Sequence, residues 1–336
     1  MVISVHDLET IPALKLGRNL NKVYPDEQVV ISIDSDWARP FGMAYTACVL
    51  KQFRRRCPDV EFTMSTTMNS GLRYASNMGF FQMISSKLGL GKAPGEAHGN
   101  SHCIPLTILD FEKLHADGLP YYFDDEVEGR IEEEAEKLAT VLVDNDKDLN
   151  YLFTYLIREI LRNIPEHSDC TKAIICGQAW PAMHQAEIAI IDEGKGIFES
   201  LSANPYYHDR IYNNSDALDW ATIPGISAAY NPNKKRRKSS SNWANSGFGL
   251  YMVKEICKEM DGSFLIASGE DYLREDSKGS KSGKTNITGT AIKITVDTNK
   301  ILNSKELINT IVQRGQEEAK AMNEGFHRAS KPSRGI

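Results

Sequence analysis

The sequence predicts an α+β protein of two domains, on three observations: a length that suits two cores, an apolar period that switches between strand and helix, and an acidic stretch between the two regions. At about 150 residues per domain, 336 residues make two. Apolar residues are 41% and charged residues 25%, the balance of a packed chain rather than a disordered or fibrous one. The expected division is a small α/β domain over 1–120, an acidic helical connector over 121–144, a second domain over 145–300, and a C-terminal helix with a basic tail over 301–336.

Taken in order, 29–33 (VVISI) is an apolar run closed by Asp34, Ser35 and Asp36, the pattern of a buried strand entering a turn. Over 41–56 the apolar residues Met43, Ala47, Leu50 and Phe53 recur at helical spacing. A strand over 60–64 and a helix over 74–88, with Tyr74, Met78, Phe81 and Ile84 on one side, complete a strand-helix alternation. The run 124–138 (DDEVEGRIEEEAEKL) has the composition of an exposed helix or connector. A long helix is expected over 149–164, ended by Pro165. A strand over 187–191 (EIAII) runs into the turn Asp192-Glu193-Gly194-Lys195-Gly196. The turn at 245–249 opens a helix carrying Leu250, Val253, Ile256 and Cys257. A last helix spans 304–323, and the tail HRASKPSRGI reads as disordered.

Lys+Arg 39 against Asp+Glu 45 leaves a net charge of −6, so no general grip on nucleic acid or anionic lipid is expected. No stretch approaches the ~20 apolar residues of a membrane span, and the first residues carry no signal-peptide pattern, so the expected location is cytoplasmic. Six cysteines without a CxxC pair suit reduced, buried thiols. His98, His102 and Cys103 are the one cluster that suggests a metal; they lie in a Gly-rich segment for which a plain loop is the preferred reading. The stretch 279–285 (GSKSGKT) has three residues between its glycines where a phosphate-binding P-loop needs four, so it is expected to be a flexible turn between two late strands.

Leu149, Leu152, Leu156 and Ile160 mark one face of the long helix, and at about 100° per residue Glu159 and Asn163 fall on that same face. A carboxylate and an amide facing a core need a hydrogen bond, water or a cation; an edge position with polar tips in solvent is the alternative. Two glycines after Asp192 let the backbone turn tightly against a ligand. A Gly-rich turn opening a helix, as at Gly247 and Gly249, gathers free amides and the positive end of a helix dipole into an anion site.

In order and spacing these pieces resemble the GHKL ATPase family, which includes histidine-kinase catalytic domains, gyrase-type ATPases and bacterial anti-sigma kinases. Glu159-x-x-x-Asn163 is similar to the N box, Asp192-x-Gly194-x-Gly196 to the first glycine box, Gly247-x-Gly249-Leu250 to the second, and Gly289-Thr290 to the last. The resemblance covers 145–297 and implies a two-layer α/β sandwich with a mixed sheet that binds ATP and Mg²⁺. It further implies that Asp192 accepts a hydrogen bond from the adenine amino group with Thr290 beside it. Asn163 would hold Mg²⁺, and the backbone at Gly194, Gly196, Ser246, Gly247, Phe248, Gly249 and Leu250 would line the nucleotide. Glu159 would orient or deprotonate water. Residues 197–246 would form a mobile lid, whose basic run Lys234, Lys235, Arg236, Arg237 and Lys238 is either a solvated loop or a contact for phosphate, protein or nucleic acid, with Tyr230 and Trp243 as stacking residues. His167 follows the N box as a His does in anti-sigma kinases, though a His near a helix C-terminus is also favoured by the dipole.

The first region resembles a STAS domain, with the pair Gly79-Phe80 late in its second helix. Arg39-Pro40-Phe41-Gly42 stands where partner-switching STAS proteins carry a phosphorylatable residue, and only Ser35 is near. A phosphoacceptor helix pair is missing from the pattern, and His115 sits in a turn context, which disfavours a sensor histidine kinase. The leading expectation is therefore a Mg²⁺-dependent ATP-binding protein, a slow ATPase acting as a nucleotide-gated switch with a protein partner or as a homodimer. The alternatives are an anti-sigma-like Ser/Thr kinase acting on a STAS-like partner, and a nucleic-acid-associated module using the basic run.

Overall fold

The computed structural model describes residues 2–25, 27–64, 69–114, 125–143, 146–228, 247–300 and 303–322. The basic run from Lys234 to Lys238, Ser246, Tyr230, Trp243, His115 and the C-terminal tail lie outside them.

Alternating strands and helices build the first sheet. β1 (Val2–Leu8), β2 (Val30–Ala38) and β3 (Glu61–Met64) pair in parallel in that order, linked by α1 (Thr10–Leu20) and α2 (Pro40–Arg56). The helix expected over 74–88 is two pieces, α3 (Ser70–Asn77) and α4 (Phe80–Ile84). Gly79, at φ +95°, separates them in a conformation other residues rarely adopt.

The second sheet has the order β4-β5-β6-β8-β7, from β4 (Cys103–Asp110), β5 (Lys172–Trp180), β6 (Gln185–Asp192), β7 (Ser263–Asp276) and β8 (Gly279–Asp297). Every neighbouring pair is antiparallel, so the mixed sheet expected from the family resemblance is not what forms. Short reversals dictate two of these pairs: β5 returns as β6 after four residues, and β7 returns as β8 through Ser277-Lys278. The latter hairpin also corrects the reading of 279–285, which is strand paired with β7 rather than a turn. β4 belongs to this sheet through its ladder with β5, so the expected boundary near 120 cuts off an edge strand.

One face of the second sheet is covered by α5 (Asp125–Val143), α6 (Lys147–His167), α9 (Gly249–Glu259) and α10 (Ser304–Ala321). α5 is no solvated connector. Val127, Ile131, Ala135, Ala139 and Leu142 recur at helical spacing beneath its acidic residues and are buried in the same core as α6. α6 runs past Pro165, because proline's fixed φ is helical and the last turn is closed by the Ser168 amide and hydroxyl, both donating to the Ile164 carbonyl at 2.9 and 2.8 Å. α10 docks on α9 at Gly315, where a Cβ would lie 2.5 Å from the Tyr251 ring.

The opposite face is covered too, by a helix from outside 145–297, which adds a further helical layer to this sheet. α2 lays Phe41, Tyr45 and Cys48 into the core that also contains Ile174, Cys176, Ala189, Ile191, Leu265, Ala267 and Ala291 of the sheet. Every residue from 40 to 50 is buried, because the three-stranded sheet and α1 flank the helix elsewhere. The physical reason is legible in β6, where all residues after Gln185 are buried: a strand apolar on both faces needs cover on both. Gly42 permits the closest approach, since a Cβ there would lie 1.9 Å from the Leu8 carbonyl oxygen.

Polar ties reinforce this seam. Glu187, fully buried, accepts from the Phe41 amide at 3.1 Å and faces Lys293 at 3.3 Å and Arg39 at 3.8 Å. Burial lowers the pKa of Lys293, against the opposing pull of Glu187. All six cysteines are free thiols, five of them buried. No helix among the described residues is long and apolar enough to cross a membrane.

Candidate functional site

Five stretches of chain converge on an open-mouthed pocket: the C-terminal half of α6, the end of β6 with its turn, the segment 197–228, the start of α9, and β8. Of the residues singled out in the sequence, Asn163, Asp192, Gly247, Gly249, Leu250 and Thr290 line it.

Asp192 is the last residue of β6 and pairs in register with Thr290 of β8. The turn after it folds back: the Gly194 amide donates to Asp192 Oδ1 at 2.9 Å, and the Lys195 amide donates to the Ser168 carbonyl at 2.6 Å. Gly194 is required there, because a Cβ would lie 2.1 Å from the Ser168 oxygen. Only 5% of Asp192 is exposed, and burial pushes its pKa up to about 7, against the Gly194 amide, the Ser168 side chain and the Thr290 backbone. Gly194 and Gly196 therefore shape the turn rather than line the pocket. Beside Gly196, the Ile197 amide donates to Ser268 Oγ at 2.9 Å, and that hydroxyl donates to the Gly289 carbonyl at 2.9 Å.

On the facing wall Gly247, at φ +71°, packs so closely on 225–226 that a Cβ would lie 2.4 Å from the Ile226 oxygen. α9 then starts at Gly249 with no side-chain cap from Phe248, which leaves its first amides for other acceptors. Phe248 itself points into the core, its ring 6.3 Å from that of Tyr251.

Glu159 lies behind the pocket wall and is 5% exposed. Its Oε1 accepts from Arg158 Nη2 at 2.9 Å, and its Oε2 lies 3.0 Å from where a Gly249 Cβ would be, against the positive end of α9. Arg158 also reaches Glu132 of α5 at 3.3 Å, while Arg162 bridges Glu128 at 3.6 Å and Glu166 at 2.9 Å. A buried ladder of charge thus backs the helix that carries Asn163.

Sequence reasoning missed Ser168, Lys195 and Ser227 as pocket residues; His167, noted only for its place after the N box, lines it as well. The signal for Ser168 was its position just beyond the Asn163 helix. Burial lowers the His167 pKa, opposed by Glu166. The segment 197–228, expected as a turn-rich lid, contains α7 (Ile197–Ser202) and α8 (Asn214–Ala221) around a small core of Leu201, Tyr207, Ile211, Ala217, Ala221 and Ile226. Aromatic and aliphatic residues spaced among its polar turns give it that core. Among the described residues no group of three or more His, Cys, Asp or Glu is placed to hold a metal, His98, His102 and Cys103 included.

Comparison of the chain with models of known protein families matches none of them, and comparison with curated proteins gives no match.

Proposed function

We propose that this pocket binds ATP with Mg²⁺ and that the protein is a slow ATPase acting as a nucleotide-gated switch. The observation that carries the reading is the convergence on one pocket of a buried carboxylate, an amide side chain and a Gly-rich helix start that are 29 and more residues apart in sequence. The residues suit such a ligand. Asp192, buried among apolar side chains, gains most from a planar base that donates an N–H to it. Thr290 stands beside it in the ladder, and the first amides of α9 suit phosphate oxygens. Mg²⁺ keeps several waters and is held largely by phosphates with one or two protein oxygens, so the Asn163 amide is a sufficient protein ligand. The ion would offset phosphate charge.

Glu159 is the residue the resemblance assigns to water activation. Its pairing with Arg158 holds the carboxylate back from the pocket, so hydrolysis needs that pair to open and turnover is slow. The test is incubation of the full chain with γ-labelled ATP and Mg²⁺ beside Asn163→Ala and Glu159→Ala, following free phosphate and protein-bound label. Released phosphate that depends on both residues is expected. No ATP binding by the wild type in calorimetry, or wild-type Mg-ATP affinity in Asn163→Ala, overturns the reading. Label retained on protein moves it to the kinase class.

A further inference from the structure

The two residues expected to meet the base are ladder partners: Asp192 ends β6, and Thr290 lies opposite it within β8. Next to Asp192, the Glu193 side chain turns away from the pocket toward α2. Its Oε2 meets Lys51 Nζ at 2.5 Å and its Oε1 meets Arg55 Nη1 at 3.1 Å. Two residues before Thr290, Thr288 falls in an irregularity of the β7–β8 ladder, which pairs Ser268 with Thr290 and Gly269 with Ile287 and so passes over it. A strand residue left out of its ladder needs other partners for its backbone groups. Gln52 supplies them: its Nε2 donates to the Thr288 carbonyl at 3.0 Å and its Oε1 accepts from the Thr288 amide at 2.9 Å. Between the two lies Gly289, at φ +89°, so close to Asp192 that a Cβ would lie 2.1 Å from the Asp192 carbonyl oxygen.

From this we infer that α2, a helix of the first half of the chain, positions the Asp192–Thr290 pair by gripping the turn at the end of β6 and the irregular stretch inside β8, and that the base selectivity of the pocket is set by Lys51–Glu193 and Gln52–Thr288. The inference rests on the proposed nucleotide site. Lys51, Gln52 and Arg55 occupy i, i+1 and i+4, which at about 100° per residue places all three within one arc of α2, the side that reaches Glu193 and Thr288. Their hydrogen bonds and ion pairs reach Glu193 and Thr288, neither of which lines the pocket, so they are positioning residues acting through those two. Coupling of this kind is reciprocal, so a ligand that fixes Asp192 also fixes the outer turn of α2.

The experiment compares wild type with Gln52→Ala, Lys51→Met and the conservative Lys51→Arg in the full chain. Without nucleotide, amide hydrogen exchange at 192–195 and 288–291 is expected to speed up about tenfold in the first two variants and to stay near wild type in Lys51→Arg, with no change along α6. With nucleotide, ATP affinity is expected to fall about tenfold while affinity for inorganic tripolyphosphate is kept, lowering the preference for ATP over GTP. Exchange at wild-type rate in Gln52→Ala and Lys51→Met overturns the inference, as does an equal loss for ATP and tripolyphosphate. A wild type that binds no ATP ends the functional reading, and the exchange data still decide whether α2 holds these two segments.

Discussion

Asp192 offers the sharpest test, because its environment makes a signed claim about pH. In the unfolded chain its carboxyl titrates near 3.8, whereas in the fold burial raises it to about 7. A raised pKa means the contribution to stability is complete below the unfolded value and is lost as pH climbs through the folded one. A shift of about three units at 1.36 kcal/mol each makes the buried carboxylate cost about 4 kcal/mol above pH 7, as an upper figure. Asp192→Asn keeps a carbonyl oxygen for the Gly194 amide and removes the titration. We therefore expect Asp192→Asn to gain on wild type between pH 5 and 8, read as the difference in urea midpoints by tryptophan fluorescence. Base recognition carries the mirror image: an N–H donor selects the carboxylate, so adenosine, whose phosphate-free structure removes a competing titration, binds wild type about tenfold better at pH 8 than at pH 6. Parallel stability curves for the two proteins across that range would refute the argument that Asp192 is a buried, protonatable acceptor.

Two further outcomes concern the seam between α2 and the sheet. Glu187→Ala leaves Lys293 and Arg39 without their buried carboxylate and should destabilise by about 3–5 kcal/mol in denaturant, with Glu187→Gln losing less because it can still accept from Phe41; a loss under 1 kcal/mol would show the pair is solvated. Gly42→Ala forces a Cβ onto the Leu8 carbonyl and should destabilise by at least about 2 kcal/mol, seen as a lowered melting temperature; an unchanged melt would mean α2 does not pack as described.

The parts of the fold legible in the sequence are those with an uninterrupted period or a glycine at a turn. α2, α6, α9 and the β6 turn follow from spacing and glycine placement, and three of the segments that line the pocket were found through them. Charge obscured α5, whose seven acidic side chains outvoted a regular apolar stripe. The outer part of β8 is polar, so 279–285 read as a turn between two late strands rather than as strand itself. β1 and α1 were not anticipated, although Leu14, Leu16 and Leu20 of α1 are buried. Glu193 could not be assigned from sequence, because its partners on α2 lie about 140 residues away and only the folded seam brings them together. The cover on the back of the second sheet did leave a trace: the near-continuous apolar run of β6, which a half-exposed strand does not show.

That cover changes what counts as a part of this molecule. A helix buried along eleven consecutive residues has no side of its own to turn toward water, so α2 is at once the core of the first sheet and the lining of the second. A cut between β4 and α5 would strip Ile174, Cys176, Ala189, Ile191 and Leu265 bare on one fragment and leave the other with a greasy helix and an orphaned edge strand. The chain is two sheets but one object: neither half is a module that could be transplanted, and a message written in either is already in contact with the other.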